Sequence, residues 1–304
     1  MTIPTTPPSS PTRSPSVDHT PVHTGEPAVG PTVDTGPARR RSRQPGPHIR
    51  RPGRRPVDLT ARDMLWLTSL ARYGLLAYSQ IGGVIDASPS AVRERGRKLA
   101  AAGLTLSRDA GVTAERVWRL TPHGLRAAGL DLPAADVSLG TVGHVVAVAD
   151  LGVRFEVAAG ETVVTAREIR AATQPGRQPT PGMTLARTLH GGEDAVYVGT
   201  LVQPGGSTYT RVPDLVLVRP PADDGSPQSV AIEVLLTRPS PAALGRMLRA
   251  YAQSHHIGHV VVYAHARGIA SAISRAAATL GMADMIEIRR WTPATRGWGQ
   301  PAAA

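Results

Sequence analysis

The stretch from Asp86 to Leu120 limits the possible folds more than any other part of the chain. It reads D-A-S-P-S-A-V-R-E-R-G-R-K-L-A-A-A-G-L, a short polar interval, then E-R-V-W-R-L. Ser88 is a natural N-cap, Pro89 follows at the first helical position, where a missing N–H costs nothing, and Gly103 supplies a left-handed stop. Between these signals Val92, Gly96, Leu99 and Gly103 recur at i, i+4, i+7 and i+11, one buried stripe of a 3.6-residue helix. The opposite face carries Ser90, Arg93, Glu94 and Arg97, flanked by Arg95 and Lys98. Residues 104–108 and 116–120 have the length of two short strands, closed by a turn around Gly111.

Upstream, Thr60 and Asp63 form the pattern of a capping box, with Asp in place of the usual Glu or Gln. Leu67, Leu70 and Ala71 continue an apolar stripe to Tyr73, and Gly74 stops it. A second helix over 77–85 turns Tyr78, Ile81 and Ile85 inward, although Gly82 and Gly83 weaken it. Thr121 and Pro122 start a closing helix. Three helices, a two-stranded wing and that last helix predict a winged helix-turn-helix domain over 58–130. Arg93 and Arg97 lie one turn apart, the spacing with which a recognition helix reads guanines in a major groove. Ser90, Arg95, Lys98 and Arg116 complete the expected DNA-binding set, with Trp118 packed on the helices. Winged helices also serve as protein-interaction modules, in which case the Arg/Glu face is merely solvated; four cations against one acid over 93–98 favour double-stranded DNA.

The formal charge is +11, of which +6 falls before Asp58: nine arginines there face Asp18, Glu26 and Asp34. Residues 1–57 hold hardly any large apolar side chain and predict a disordered Arg/Pro-rich tail, because they cannot bury enough surface to offset ordering entropy. The runs R-R-R-S-R at 39–43 and R-R-P-G-R-R at 50–55 either track phosphates or keep the chain soluble. Cysteine is absent, which excludes disulfides and thiolate zinc sites and agrees with a reducing cytoplasm. No apolar run is long enough for a membrane span or a signal peptide, so no membrane partner is expected. One lysine against 33 arginines, with abundant alanine, has the look of a GC-rich coding bias.

After a polar hinge at 130–140 the pattern becomes α/β, predicting a second domain over 140–292 and a disordered end at 293–304. A helix is expected over 140–159, with Val145, Val148, Ala149, Gly152 and Val153 on its apolar face and His144, Asp150, Arg154 and Glu156 elsewhere. Residues 161–210 show poor order, with a mobile loop at 174–182 and a strand at 196–202. Residues 209–219 read as one strand whose Pro213 suits an edge or bulge, and 229–236 as a strand apolar on both faces, the two joined by a hairpin loop. A helix at 241–254, a strand at 259–265, a helix at 269–280 and a strand at 285–290 complete the order. His255, His256 and His259 are close in sequence, but Gly258 interrupts the helix that would align them as metal ligands. His144 reads as a hydrogen-bonded helix residue.

The P-D at 213–214, followed on the next strand by E-V-L at 233–235 and then a helix, resembles the core of the restriction-endonuclease-like fold. The resemblance implies that Asp214 and Glu233 hold Mg²⁺ or Mn²⁺ beside a catalytic lysine. Leu235 stands at the lysine position and this domain contains no lysine; Arg238 is a poor substitute, since a guanidinium cannot lose its proton. Asp214 satisfying backbone N–H groups and Glu233 pairing with Arg211 is the plainer reading of the two acids.

More broadly, residues 58–290 resemble the replication-relaxation family of actinobacterial plasmids and integrated mobile elements. The likeness is carried by L-T-A-R-D at 59–63, A-R-Y-G-L-L at 71–76, V-W-R-L-T-P-H-G at 117–124, H-V-V-A-V-A-D at 144–150, P-D-L-V-L-V at 213–218 and A-I-E-V-L-L at 231–236. It implies an α+β chain in which a winged helix precedes a nuclease-like α/β domain, a role in replication, relaxation or mobilisation, and replication or mobilisation proteins as partners. Leu235 replaces the second acid usual at its position. The expectation is a cytoplasmic DNA-binding protein with a degenerate nuclease-like domain. Two alternatives stay open: a Mg²⁺- or Mn²⁺-dependent endonuclease or nickase using Asp214 and Glu233, and a transcriptional regulator whose α/β domain forms a homodimer or senses a ligand.

Overall fold

A computed structural model describes residues 57–109, 115–190, 197–203 and 206–292. The readings of the two chain ends and of the turn around Gly111 lie outside them. Helix α1, Ala61–Tyr73, opens with the capping box: Asp63 N–H donates to the Thr60 hydroxyl and Thr60 N–H to Asp63 Oδ2 at 2.7 Å. It buries Trp66, Leu67 and Leu70 and ends at Gly74 with φ +82°. A two-residue strand, β1 (Leu76–Ala77), precedes α2 (Tyr78–Ile85), and Asp86 leaves α2 in a left-handed turn at φ +48°. Helix α3, Pro89–Ala101, is capped by Ser88 and buries Val92, Gly96 and Leu99, while Gly103 turns left-handed one residue past the cap. Strands β2 (Thr105–Asp109) and β3 (Arg116–Leu120) pair antiparallel, and α4 (Pro122–Ala127) starts at the Thr121 cap.

Strand β1 was not expected. It pairs with the free edge of β3, Leu76 opposite Trp118 and Ala77 opposite Val117, giving the order β1-β3-β2. Trp118 packs edge-on against Trp66 and Tyr78, with ring centroids 5.9 and 5.7 Å away. Gly96 makes this possible, since a Cβ there would lie 2.7 Å from the Trp118 ring.

Helix α5 runs Val142–Ala159, starting two residues later than expected, after a short 3-10 turn at Leu139–Thr141. Asp150, placed by its periodicity on the polar side, is in fact buried, because α5 is covered on several sides. The region expected to lack order contains β4 (Val163–Thr165), α6 (Ala166–Ala172) and α7 (Pro181–Leu189), and the strand expected at 196–202 is β5 (Gly199–Val202). The loop read over 174–182 stops at Thr180, which caps α7. The single strand expected over 209–219 is two: β6 (Thr208–Arg211) pairs with β5 in a separate hairpin, and β7 (Leu215–Leu217) joins the main sheet. Pro213 and Asp214 form the break between them, Pro213 lacking the N–H a continuous ladder needs.

Strand β8 (Ser229–Leu235) forms the expected hairpin with β7. Helix α8 (Pro241–Ala252), β9 (Ile257–Ala264), α9 (Arg267–Thr279) and β10 (Ile286–Arg290) follow. The main sheet has the order β10-β9-β8-β7-β4, with β8, β9 and β10 parallel and β7 antiparallel to both neighbours. One face packs Ala231, Val260 and Val262 with Leu244, Leu248 and Tyr251 of α8. Ile232, Val234 and Val261 of the other face belong to a core that also holds Trp66, Leu70 and Trp118.

That shared core joins the regions before and after 130–140. Leu132 is buried in it, so the stretch read as a polar hinge is clamped. Arg72 of α1 donates to Glu156 of α5 at 2.5 Å, to Glu168 of α6 at 3.1 Å and to the Val163 carbonyl at 2.5 Å. Arg167 donates to the carbonyls of Ala71 and Pro133. Gly152 lets α1 approach α5, since a Cβ there would sit 2.4 Å from the Tyr73 hydroxyl oxygen. Among the described residues, no helix is long and apolar enough to cross a membrane.

Candidate nucleic-acid interface and carboxylate cluster

The stripe that buries Val92, Gly96 and Leu99 forces the rest of α3 outward. Ser90, Arg93, Glu94, Arg97 and Lys98 are exposed. Between α2, α3 and the start of β3 lies a cleft of about 1090 Å³, lined by Arg93 and Arg97 of α3, Arg116 of β3, and Tyr78, Gly82 and Gly83 of α2. Among the described residues, Arg93, Arg97 and Arg116 carry no hydrogen bond or ion pair. Glu115, also at the cleft, accepts from the Ser79 N–H at 2.9 Å and so braces the first turn of α2.

The other residues of the expected set are engaged. Lys98 pairs with Glu94 at 2.9 Å across one helical turn, both exposed, so the interaction is screened by solvent and readily exchanged. The Ser90 hydroxyl lies 3.0 Å from that of Ser88. Arg95 differs in kind. Its guanidinium turns back to α1, donating to Asp63 at 2.7 Å from Nε and at 2.5 Å from Nη2, and to the Asp58 carbonyl at 2.7 Å. Burial pushes the Asp63 carboxyl up, but the bonds from Arg95 and Thr60 outweigh it and hold the group below its ordinary value. Arg95 thus ties α3 to α1, a role its flank position in the sequence did not reveal.

The structure brings Asp214 and Glu233 together at the C-terminal end of β8. Asp214, at the break before β7, accepts from the Val234 N–H at 2.9 Å through Oδ2, while Oδ1 meets Nε2 of His144 at 3.1 Å. Glu233 is fully buried on β8. Arg211 grips both its oxygens, at 2.7 Å from Nε and more tightly from Nη2, and the Tyr251 hydroxyl of α8 donates to Oε1. Burial, then the charge of Asp214, pushes the Glu233 carboxyl up, with Arg211 and Tyr251 opposing. Burial works against the Arg211 cation, yet Glu233 holds it even more firmly protonated than usual. The bond to Asp214 raises the His144 imidazole despite burial.

This donor set does not suit a divalent cation. All four carboxylate oxygens have partners, and the Arg211 guanidinium occupies the coordinating edge of Glu233. Among the described residues, no three His, Cys, Asp or Glu side chains are grouped to hold a metal. Leu235 is half-buried, and Arg238 is exposed. The three clustered histidines diverge: His256 lies against His190, ring centroids 5.1 Å apart, His259 reaches Glu287 at 3.7 Å, and His255 is exposed. The sequence named Arg211 as a partner for Glu233 but gave no sign of Tyr251, which α8 brings to the same carboxylate.

Comparison of the chain with protein-family models, with curated proteins and with solved structures finds no match.

Proposed function

We propose that the chain binds double-stranded DNA through α3 and the β2–β3 hairpin, as a winged helix-turn-helix, with the α/β half acting as a nuclease-like scaffold without hydrolytic chemistry. The order α1, α2, α3 and hairpin, with β1 as third strand, supports the winged-helix reading. The observation that carries it is a contrast in use: Arg95 is spent on Asp63, whereas Arg93, Arg97 and Arg116 of β3 have no hydrogen bond or ion pair among the described residues and line an open cleft. Unpaired arginines at that spacing suit guanine edges and phosphates. On the resemblance of residues 58–290, we propose that this binding serves replication, relaxation or mobilisation of a plasmid or integrated element.

Fluorescence anisotropy with labelled duplex DNA tests the reading. Replacing Arg93 and Arg97 by alanine should weaken binding at least tenfold and leave the melting temperature in place, whereas unchanged affinity would refute it. Incubating supercoiled plasmid with the protein in Mg²⁺ and in Mn²⁺ tests the scaffold part; the engaged oxygens of Asp214 and Glu233 predict no nicking, and nicking lost in Glu233→Gln would show an enzyme.

A further inference from the structure

The cleft beside α3 holds a feature that duplex recognition leaves unused. Tyr78, the first residue of α2, lines it while only half-buried, its ring edge-to-face with Trp118. Gly82 and Gly83 line the same cleft and add no side chain of their own. Paired bases present their edges to a protein and keep their faces stacked within the duplex. An aromatic ring in a basic cleft therefore gains from a base only when that base is unpaired. The lining combines the three arginines with Asp86, exposed and acidic, which fits a ligand with an anionic part and a separate planar part carrying amino donors. The volume of about 1090 Å³ exceeds what a small ligand requires.

We infer that the cleft takes an unpaired nucleotide, its phosphate held by Arg93, Arg97 and Arg116 and its base stacked on Tyr78, so that the preferred substrate is a duplex next to single-stranded DNA. The inference rests on the DNA-binding reading above and specifies its substrate. An unpaired nucleotide within a strand and a free nucleotide share this chemistry.

Anisotropy with the full-length protein compares a blunt duplex, the same duplex bearing a single-stranded deoxycytidine extension, and deoxycytidine monophosphate as competitor. The extended duplex should bind about tenfold more tightly than the blunt one, the order of contribution of one base–aromatic stack. Tyr78→Phe should keep the difference and Tyr78→Leu abolish it, with blunt-duplex affinity unchanged in both. Competition by the mononucleotide against the extended probe alone would show that the cleft recognises the nucleotide itself; no competition would assign recognition to the strand. Should Tyr78→Leu fail to fold, photocrosslinking of a bromodeoxycytidine-substituted extension to the unaltered protein decides, with attachment at Tyr78 expected and attachment only elsewhere overturning the inference. Equal binding of the two duplexes, or a preference that survives Tyr78→Leu in a folded protein, would also overturn it. Failure to bind the blunt duplex at all would instead refute the DNA-binding reading.

Discussion

The α3 cleft and the carboxylate cluster are both rich in charge, and they spend it in opposite ways. Around Glu233 every charge is answered inside the molecule: Arg211 and Tyr251 on Glu233, His144 and the Val234 N–H on Asp214. Around α3, Arg93, Arg97 and Arg116 face an open cleft, and only Arg95 turns inward. Burying a charge is costly unless it is paired, so the internal pairs are a condition of the fold. Exposed cations without internal bonds have no such role, and their free energy remains available to a ligand. The comparison teaches that the position of an ionisable residue in a motif says less about function than whether the fold has already used it.

The largest effect should come from breaking the buried pair. Arg211→Leu leaves Glu233 uncompensated and should lower stability by about 3–5 kcal/mol in chemical denaturation. Replacing both partners by apolar residues should recover much of that loss, because the penalty lies in the orphaned charge. If Arg211→Leu were neutral, the cluster would not be structural and the contrast with α3 would fail.

Next come Arg93→Glu and Arg97→Glu, each expected to cost about 1–3 kcal/mol in duplex affinity while stability moves by less than about 0.5 kcal/mol. Arg95→Ala should show the reverse, losing about 1–3 kcal/mol of stability because Asp63 keeps its burial and loses its cation, a difference readable in paired melting and binding curves. A loss of affinity without loss of stability in Arg95→Ala would move it to the ligand-facing set.

The smallest effect concerns His144. Its folded pKa is raised by Asp214 above the ordinary 6.5, so its contribution to stability is fully present below that value and is lost as pH rises through the higher folded value. In an NMR titration Asp214→Asn should bring the imidazole back down. An unshifted His144 in that variant would detach it from the cluster.

The elements that carry long signals were legible in the sequence. Helices α1 and α3 stand where caps and stripes put them, α8 falls within the helix expected over 241–254, and β8, apolar at most positions, reads plainly as a buried strand. Short elements were not: β1 has two residues and β4 three, too few for any period to show. Local signals did exist for α6 and α7, the Thr165/Glu168 capping box and the Thr180-Pro181 start, and they outweigh the Pro/Gly composition that suggested disorder. The break at Pro213 lay within a run of β-forming residues and was hidden by it. At the sites, residue types were legible and partners were not. Arg93 and Arg95 look alike in sequence, and only the return of α1 beside α3 separates them; Asp214 and Glu233 look like metal ligands until Arg211 and Tyr251 are placed.

The salt dependence of duplex binding tests the central claim most directly. Plotting the logarithm of affinity against that of salt concentration for the unaltered protein, for Arg93→Ala/Arg97→Ala/Arg116→Ala and for Arg95→Ala asks which arginines meet the DNA. The account predicts a slope flatter by roughly 0.9 for each phosphate contact removed in the triple variant, and an unaltered slope for Arg95→Ala. Equal slopes in the triple variant and the unaltered protein would contradict it, and would place the DNA-binding surface away from α3.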